Sequence, residues 1–212
     1  KLFWSKYLTN VDTIIHLAWT LKKNFYYSKL NRNCYLGTIE LAKACKENNI
    51  KRFIGIGSCA EYLWDNKIIK TTSRLKSNSI YSKYKILTYN KLNNLLIKKN
   101  QFIWLRPFFV YGKYQKNYQF YPSIVSKFIK KKKIIIFNSE NQYDFVPVKF
   151  LCFFIIKILR KKSLRKKIYN ICTGKATSLK KFVLMNFKND LNLFDFRQLN
   201  KKLKIVGKKE KV

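Results

Sequence analysis

Arg52-Phe53-Ile54-Gly55-Ile56-Gly57-Ser58 is the stretch on which the fold turns. A short apolar run between a charged residue and a hydroxyl residue reads as a strand buried on both faces. The two glycines near its end are expected to let the backbone come close to a ligand. On its N-terminal side, Leu36, Ile39, Leu41, Ala42 and Cys45 recur near helical spacing, which predicts a helix within 24–49. Before that, Thr13-Ile14-Ile15-His16-Leu17-Ala18 follows the polar Asn10-Val11-Asp12 and reads as another buried strand. On the C-terminal side a helix is expected over about 79–99, with Ile80, Leu87, Leu92, Leu95 and Leu96 on its apolar side. A third strand, 101–105, is expected to stop before Pro107.

Beyond Gly112 the alternation loosens. A helix fits 121–131, a strand 134–137, a helix 150–160 and a strand 168–172. The apolar run 150–159, broken by Lys157, is too short to span a bilayer and reads as a buried helix. Thr173-Gly174 makes a turn, Ser178 is placed to cap a last helix, and the basic tail from Leu203 is expected to fray. No internal repeat is visible. Strands alternating with helices predict an α/β fold, a doubly wound parallel sheet covered on both faces. Residues 1–112 would form a partial Rossmann-like domain, 113–202 mainly a small α+β lobe with some segments returning to the sheet, and 203–212 a tail. Ligands bind such sheets at the carboxyl ends of the strands, where His16-Leu17-Ala18, Ser58 and Arg106-Pro107-Phe108 lie.

Composition narrows the function classes. The formal charge of +36 would ordinarily point to nucleic acid or a membrane surface. Here Lys, Asn, Ile, Phe and Tyr are all abundant while Gly, Pro and Ala are scarce, which marks a compositional background and not a recruited basic patch. A polyanion partner is therefore discounted, although Lys130-Lys131-Lys132-Lys133 keeps it as an alternative. The five cysteines, Cys34, Cys45, Cys59, Cys152 and Cys172, form no Cys-x-x-Cys pair, so reduced thiols in the cytoplasm are expected, with no structural zinc. One histidine, His16, argues against a Ser-His-Asp triad or a histidine metal site. No signal peptide and no membrane span is read. The chain begins at Lys1 and not at Met, so a fragment or a trimmed product is expected.

Tyr81 and Lys85 lie four apart on an expected helix and share a face. A tyrosine is a poor base near neutrality, and a neighbouring ammonium favours its phenolate. Such a pair, with a hydroxyl like that of Ser58 on the same substrate oxygen, can move a proton while a nicotinamide takes or gives hydride. In a chain with 14 tyrosines and 46 basic residues the spacing alone also arises by chance.

Context adds weight. Val11 to Ala18, Gly37-Thr38 with Leu41 and Cys45, Lys51 to Ile54 running on to Ser58-Cys59-Ala60-Glu61-Tyr62, Ser79 to Lys85, and Leu105 to Gly112 follow one another in order. Tyr143 to Val148 and Tyr169 to Gly174 complete the series. Together they resemble the extended short-chain dehydrogenases/reductases of the NAD-dependent epimerase/dehydratase kind, which work on nucleotide sugars. The resemblance implies catalytic roles for Ser58, Tyr81 and Lys85, and cofactor contacts from Leu17, Ala18, Tyr81, Lys85 and Phe108. It places Cys59, Ala60 and Phe109 toward the substrate. It implies NAD or NADP as cofactor, a nucleotide sugar as substrate and a homodimer through the two long helices.

The departures are specific. The family's opening strand, glycine-rich turn and helix, on the order of 50 residues or more, have no counterpart here, and with them goes the cradle for the pyrophosphate. The family's helix asparagine is ambiguous here, with Asn33 one residue off the usual spacing to Gly37. Tyr143 stands where an arginine is usual, and Lys149 or Phe150 where an aspartate is. Two readings therefore stay open beside that of an active enzyme: a catalytically silent remnant acting as a binding domain, and a polyanion-binding protein.

Overall fold

The computed structural model describes residues 2–96, 101–162, 164, 167–187 and 190–210. A short helix α1 (Leu2–Leu8) precedes β1 (Thr13–His16), α2 (Leu30–Glu47) and β2 (Arg52–Ile56). After β3 (Ile68–Ile69) come α3 (Ile80–Leu96), β4 (Gln101–Pro107) and β5 (Phe109–Tyr111). Then follow α4 (Phe120–Ile129), β6 (Ile134–Phe137), β7 (Gln142–Tyr143), β8 (Phe145–Pro147) and α5 (Val148–Arg160). The chain closes with β9 (Ile168–Ile171), β10 (Thr177–Ser178), α6 (Leu179–Asn186), β11 (Phe194–Arg197) and β12 (Lys204–Gly207). The expected end of α3, 97–99, lies outside the described residues.

Strands β1, β2, β4 and β9 pair in that order, all parallel, with Ile54 opposite Ile15 on one side and Ile103 on the other. Successive side chains take opposite faces. Phe53, Phe102 and Trp104 enter a core with Ile39, Ala42 and Cys45 of α2 and Leu92 and Leu96 of α3. Ile54, Ile103 and Leu105 enter another with Phe154 and Ile158 of α5. This is the doubly covered parallel sheet that the alternation predicts. A third core, built on Ile124, Ile134, Ile136, Val183, Phe187 and Phe194, joins α4, β6, α6 and β11. The Ser178 Oγ accepts from the Lys181 amide at 3.1 Å and caps α6 as expected.

Arg52 ties sheet to helix. Its guanidinium donates to the carbonyls of Ile158 (3.0 Å), Leu159 (3.3 Å), Lys161 (2.6 Å) and Lys162 (3.2 Å) at the end of α5. The last carbonyls of a helix lack the full set of partners found in its interior, Ile158 here also accepting from the Lys161 amide at 3.2 Å, and the helix dipole is negative there.

Four expectations change. The helix α5 is not wholly buried: Phe154 and Ile158 are, but Phe153, Ile156 and Leu159 are exposed, because a helix resting on one sheet face hides one stripe only. The tail does not fray from Leu203. Strand β12 lies between β3 and β7 and buries Ile205 and Val206. Its lysines hid a short apolar core segment that completes the hydrogen bonding of two strand edges. The third sheet strand runs on to Pro107, pairing there with Ile171. The glycines of the opening stretch do not leave space for a ligand. A Cβ at Gly55 would stand 2.5 Å from the Trp104 ring, and one at Gly57 would stand 2.3 Å from Glu61 Oε1. The indole of Trp104 fills that space from within.

Candidate active site

Past the end of β2, Ser58 caps a 3₁₀ turn, Cys59–Glu61. Its Oγ accepts from the Ala60 amide at 3.1 Å, and Glu61 Oε1 accepts from the Ser58 amide at 2.8 Å. The spacing Ser-x-x-Glu is a capping box, a signal present in the sequence. Glu61 is fully buried. It pairs with Arg106 Nε at 2.7 Å and accepts from Trp104 Nε1 at 3.1 Å. Arg106 Nη1 donates to the Tyr62 hydroxyl at 2.9 Å, which donates to Asn170 Oδ1 at 2.8 Å. A buried network anchored in β4 and β9 therefore fixes where Ser58 stands.

Tyr81 and Lys85 come from α3. The Ser82 amide donates to Ser79 Oγ at 3.1 Å, which starts the helix and puts Tyr81 in its first turn and Lys85 in the next. The Ser58 hydroxyl stands near enough to the Tyr81 phenol to oppose the rise in its pKa. Lys85 Nζ donates to the Ile56 carbonyl at 2.7 Å, at the carboxyl end of β2, and lies 5.7 Å from the centre of the Tyr81 ring. The structure thus brings Ser58, Tyr81 and Lys85 to one place.

Their electrostatics differ from the simple expectation. Burial pushes the Tyr81 phenol well above the ordinary tyrosine range, the Ser58 hydroxyl opposes that rise, and Tyr26, Glu61 and Cys59 add to it. Burial also pulls Lys85 down to about 7, against the charges of Glu61 and Cys34. A half-charged ammonium favours a phenolate less, and a dry pocket disfavours it further. His16 is pulled down to about 4, by burial first and by Lys85 second, so it is neutral at pH 7. Its Nε2 lies 3.5 Å from Thr38 Oγ1.

The other sequence-predicted residues divide. Leu17 and Ala18, just past β1, are exposed. Cys59 and Ala60 are buried in the 3₁₀ turn. Phe109 is half-buried in an aromatic group with Trp64, Tyr143 and Phe145. Phe108 lies in the core, close against Gly207 of β12. Asn33 is exposed. The wired asparagine is Asn31, fully buried, whose Nδ2 donates to the carbonyls of Phe25 (2.7 Å) and Ser28 (2.8 Å) and whose Oδ1 accepts from Trp19 Nε1 (2.8 Å). Asp144, also fully buried, holds the Thr173-Gly174 turn through the two backbone amides at 2.7 and 2.9 Å.

This donor set suits the ribose and nicotinamide end of a dinucleotide: two hydroxyls and an amine at the carboxyl edge of a parallel sheet, beside an exposed Leu17-Ala18 segment. The chain has six glycines, and none lies in a glycine-rich turn that opens a helix and could hold the pyrophosphate. Among the described residues no helix is long and apolar enough to cross a membrane.

Comparison with known proteins is consistent with this arrangement. The model of the family described as NAD dependent epimerase/dehydratase matches residues 3–172. No curated protein matches the chain. Among solved structures, MoeE5 in complex with UDP-glucuronic acid and NAD aligns with a TM-score of 0.81 at 18% identity, over 96% of this chain and 72% of that one. UDP-glucuronic acid 4-epimerase from Bacillus cereus, in complex with UDP-glucuronic acid and NAD, aligns at 0.79 and 20% identity, over 96% and 68%. A double mutant of DesIV, a dTDP-glucose 4,6-dehydratase from Streptomyces venezuelae, with NAD bound, aligns at 0.80 and 18% identity, over 97% and 66%. At these identities the likeness is one of fold.

Proposed function

The chain belongs to the NAD dependent epimerase/dehydratase family, and from that premise we propose that Ser58, Tyr81 and Lys85 are the acid–base site of a nicotinamide-dependent enzyme for nucleotide-activated sugars. The reaction is an epimerisation, a dehydration or a 4-keto reduction. One observation carries the reading: Lys85 stands one helical turn on from Tyr81, and its Nζ donates at 2.7 Å to the Ile56 carbonyl, at the carboxyl end of the strand that delivers Ser58.

A bound nicotinamide supplies the hydride donor or acceptor. The chain's own residues handle the proton. Tyr81 gives it to, or takes it from, a sugar oxygen, and the Ser58 hydroxyl donates to that same oxygen. The Lys85 ammonium stabilises the phenolate once water or substrate raises the polarity around it. Leu17 and Ala18 would lie along the dinucleotide, and Phe108 would support its nicotinamide end from within the core. Cys59, Ala60 and Phe109 face the sugar. Two copies pair through α2 and α3, a reading supported by the exposure of Leu36 and Leu87.

A second reading, a binding domain without turnover, is favoured by Tyr143 in place of the usual arginine and by the burial of Tyr81. The test is a turnover assay of this chain with NAD or NADP and a panel of UDP- and dTDP-hexoses. The enzyme reading expects interconversion of at least one sugar, slowed by roughly 10²–10⁴ in Tyr81→Phe. If no sugar is turned over, the binding domain takes its place.

A further inference from the structure

The Tyr81–Lys85 pair is covered by one segment of the chain. Between β1 and α2, residues 17–29 cross the carboxyl edge of the sheet. The Trp19 ring centre lies 3.7 Å from Lys85 Nζ. The rings of Trp19, Phe25 and Tyr26 meet Tyr81 edge-on, with centroids at 6.4, 5.0 and 5.5 Å. Tyr81 is left 8% exposed and Lys85 4%, while Leu17, two residues before Trp19, is 64% exposed. The cover is therefore local to the two residues that would do proton chemistry.

This strap is tied down at several points. Asn31 holds Trp19, Phe25 and Ser28. The Thr20 amide donates to Cys34 Sγ at 3.3 Å, and the Tyr118 hydroxyl, from the chain before α4, donates to the Leu21 carbonyl. It is also imperfectly seated. Thr20 Oγ1 is buried without a hydrogen-bond partner among the described residues, an arrangement that favours a looser state. Asn24, at the start of the 3₁₀ turn Phe25–Tyr27, adopts a left-handed conformation, φ 61°. Several ties with one misfit describe a closed state that can open.

We propose that residues 19–28 form a displaceable strap, and that Trp19, seated on the Lys85 ammonium, is the latch that must leave before a ligand can reach Tyr81 and Lys85. The strap deepens the reading of this site given above, and its test needs neither cofactor nor turnover. The cation–π contact and the excluded water both disappear when Trp19 lifts. The barrier to reaching Lys85 then falls.

The experiment is trace acetylation of the whole chain with acetic anhydride near neutral pH, read at Lys85 by peptide mass spectrometry, with the many exposed lysines as internal standards. Trp19→Ala should acetylate Lys85 roughly tenfold faster than wild type, the loss of one desolvated cation–π contact. Trp19→Phe should stay near the wild-type rate. Tyr118→Phe, which removes one tie on the outside of the molecule and leaves the core intact, should fall between. Equal Lys85 labelling in wild type, Trp19→Ala and Tyr118→Phe would overturn the strap. So would fast labelling of Lys85 in the wild type. If the labelling pattern holds while no variant binds NAD or NADP, the strap stands and the nicotinamide reading fails.

Discussion

Lys85 is the residue on which the electrostatics turn. The unfolded chain keeps its proton to about 10.4, whereas the folded chain releases it near 7. Between those values the unfolded state binds more protons, so folding becomes more favourable as pH rises, by about 1.4 kcal/mol per pH unit. Urea unfolding of wild type and Lys85→Met should therefore diverge from about pH 7.5 to 9.5, with wild type gaining on the variant. A constant difference would mean that Lys85 keeps its ordinary proton affinity. At this scale the sequence was informative where chemistry is local. Tyr81 and Lys85 are one helical turn apart whatever surrounds them, and Ser58 to Glu61 spells a capping box. It was silent on Trp19, because a ring placed on Lys85 from 66 positions away depends on the path of the intervening chain. It also pointed to Asn33 when Asn31 makes the bonds, a two-residue difference that spacing to Gly37 cannot resolve.

Among elements, the strands of the parallel sheet were the most legible, because a strand covered on both faces needs an unbroken apolar run. Strand β12 escaped for the opposite reason: its buried apolar side chains, Ile205 and Val206, sit in a lysine-rich tail. Helix α1 also escaped, being less than two turns long, with Trp4 and Leu8 packing against the α2 side of the sheet. The contact between Arg52 and the end of α5 joins positions 106 to 110 apart, beyond any local pattern. Replacing it should matter. Arg52→Met keeps much of the apolar stem but removes the guanidinium that donates to the carbonyls of Ile158 and Lys161, and should lower stability by about 1–3 kcal/mol. Hydrogen exchange should quicken in the last turn of α5 more than in α2. An unchanged urea midpoint would show that these carbonyls find other partners at no cost.

For the molecule as a whole, two cores sandwich the parallel sheet and a third sits under α4 and α6. The formal charge of +36 is compatible with this because, among the described residues, the buried ionic groups are few and each is held: Glu61 with Arg106, Asp144 by backbone amides, Arg52 by carbonyls at the end of α5 and Lys85 by the Ile56 carbonyl. Among the described residues, Phe153, Ile156 and Leu159 of α5 are exposed, and β1 is an edge strand of the parallel sheet. The chain spans 72% of the length of MoeE5 and 68% of the Bacillus cereus epimerase. The central claim is that Ser58, Tyr81 and Lys85 face a nicotinamide dinucleotide, and calorimetric titration tests it most directly. NAD and NADP would be titrated into this chain and into its Lys85→Met variant. The account predicts saturable binding of one dinucleotide, weakened at least roughly tenfold by Lys85→Met, a loss of about 1.4 kcal/mol. No binding, or binding indifferent to Lys85, would contradict it.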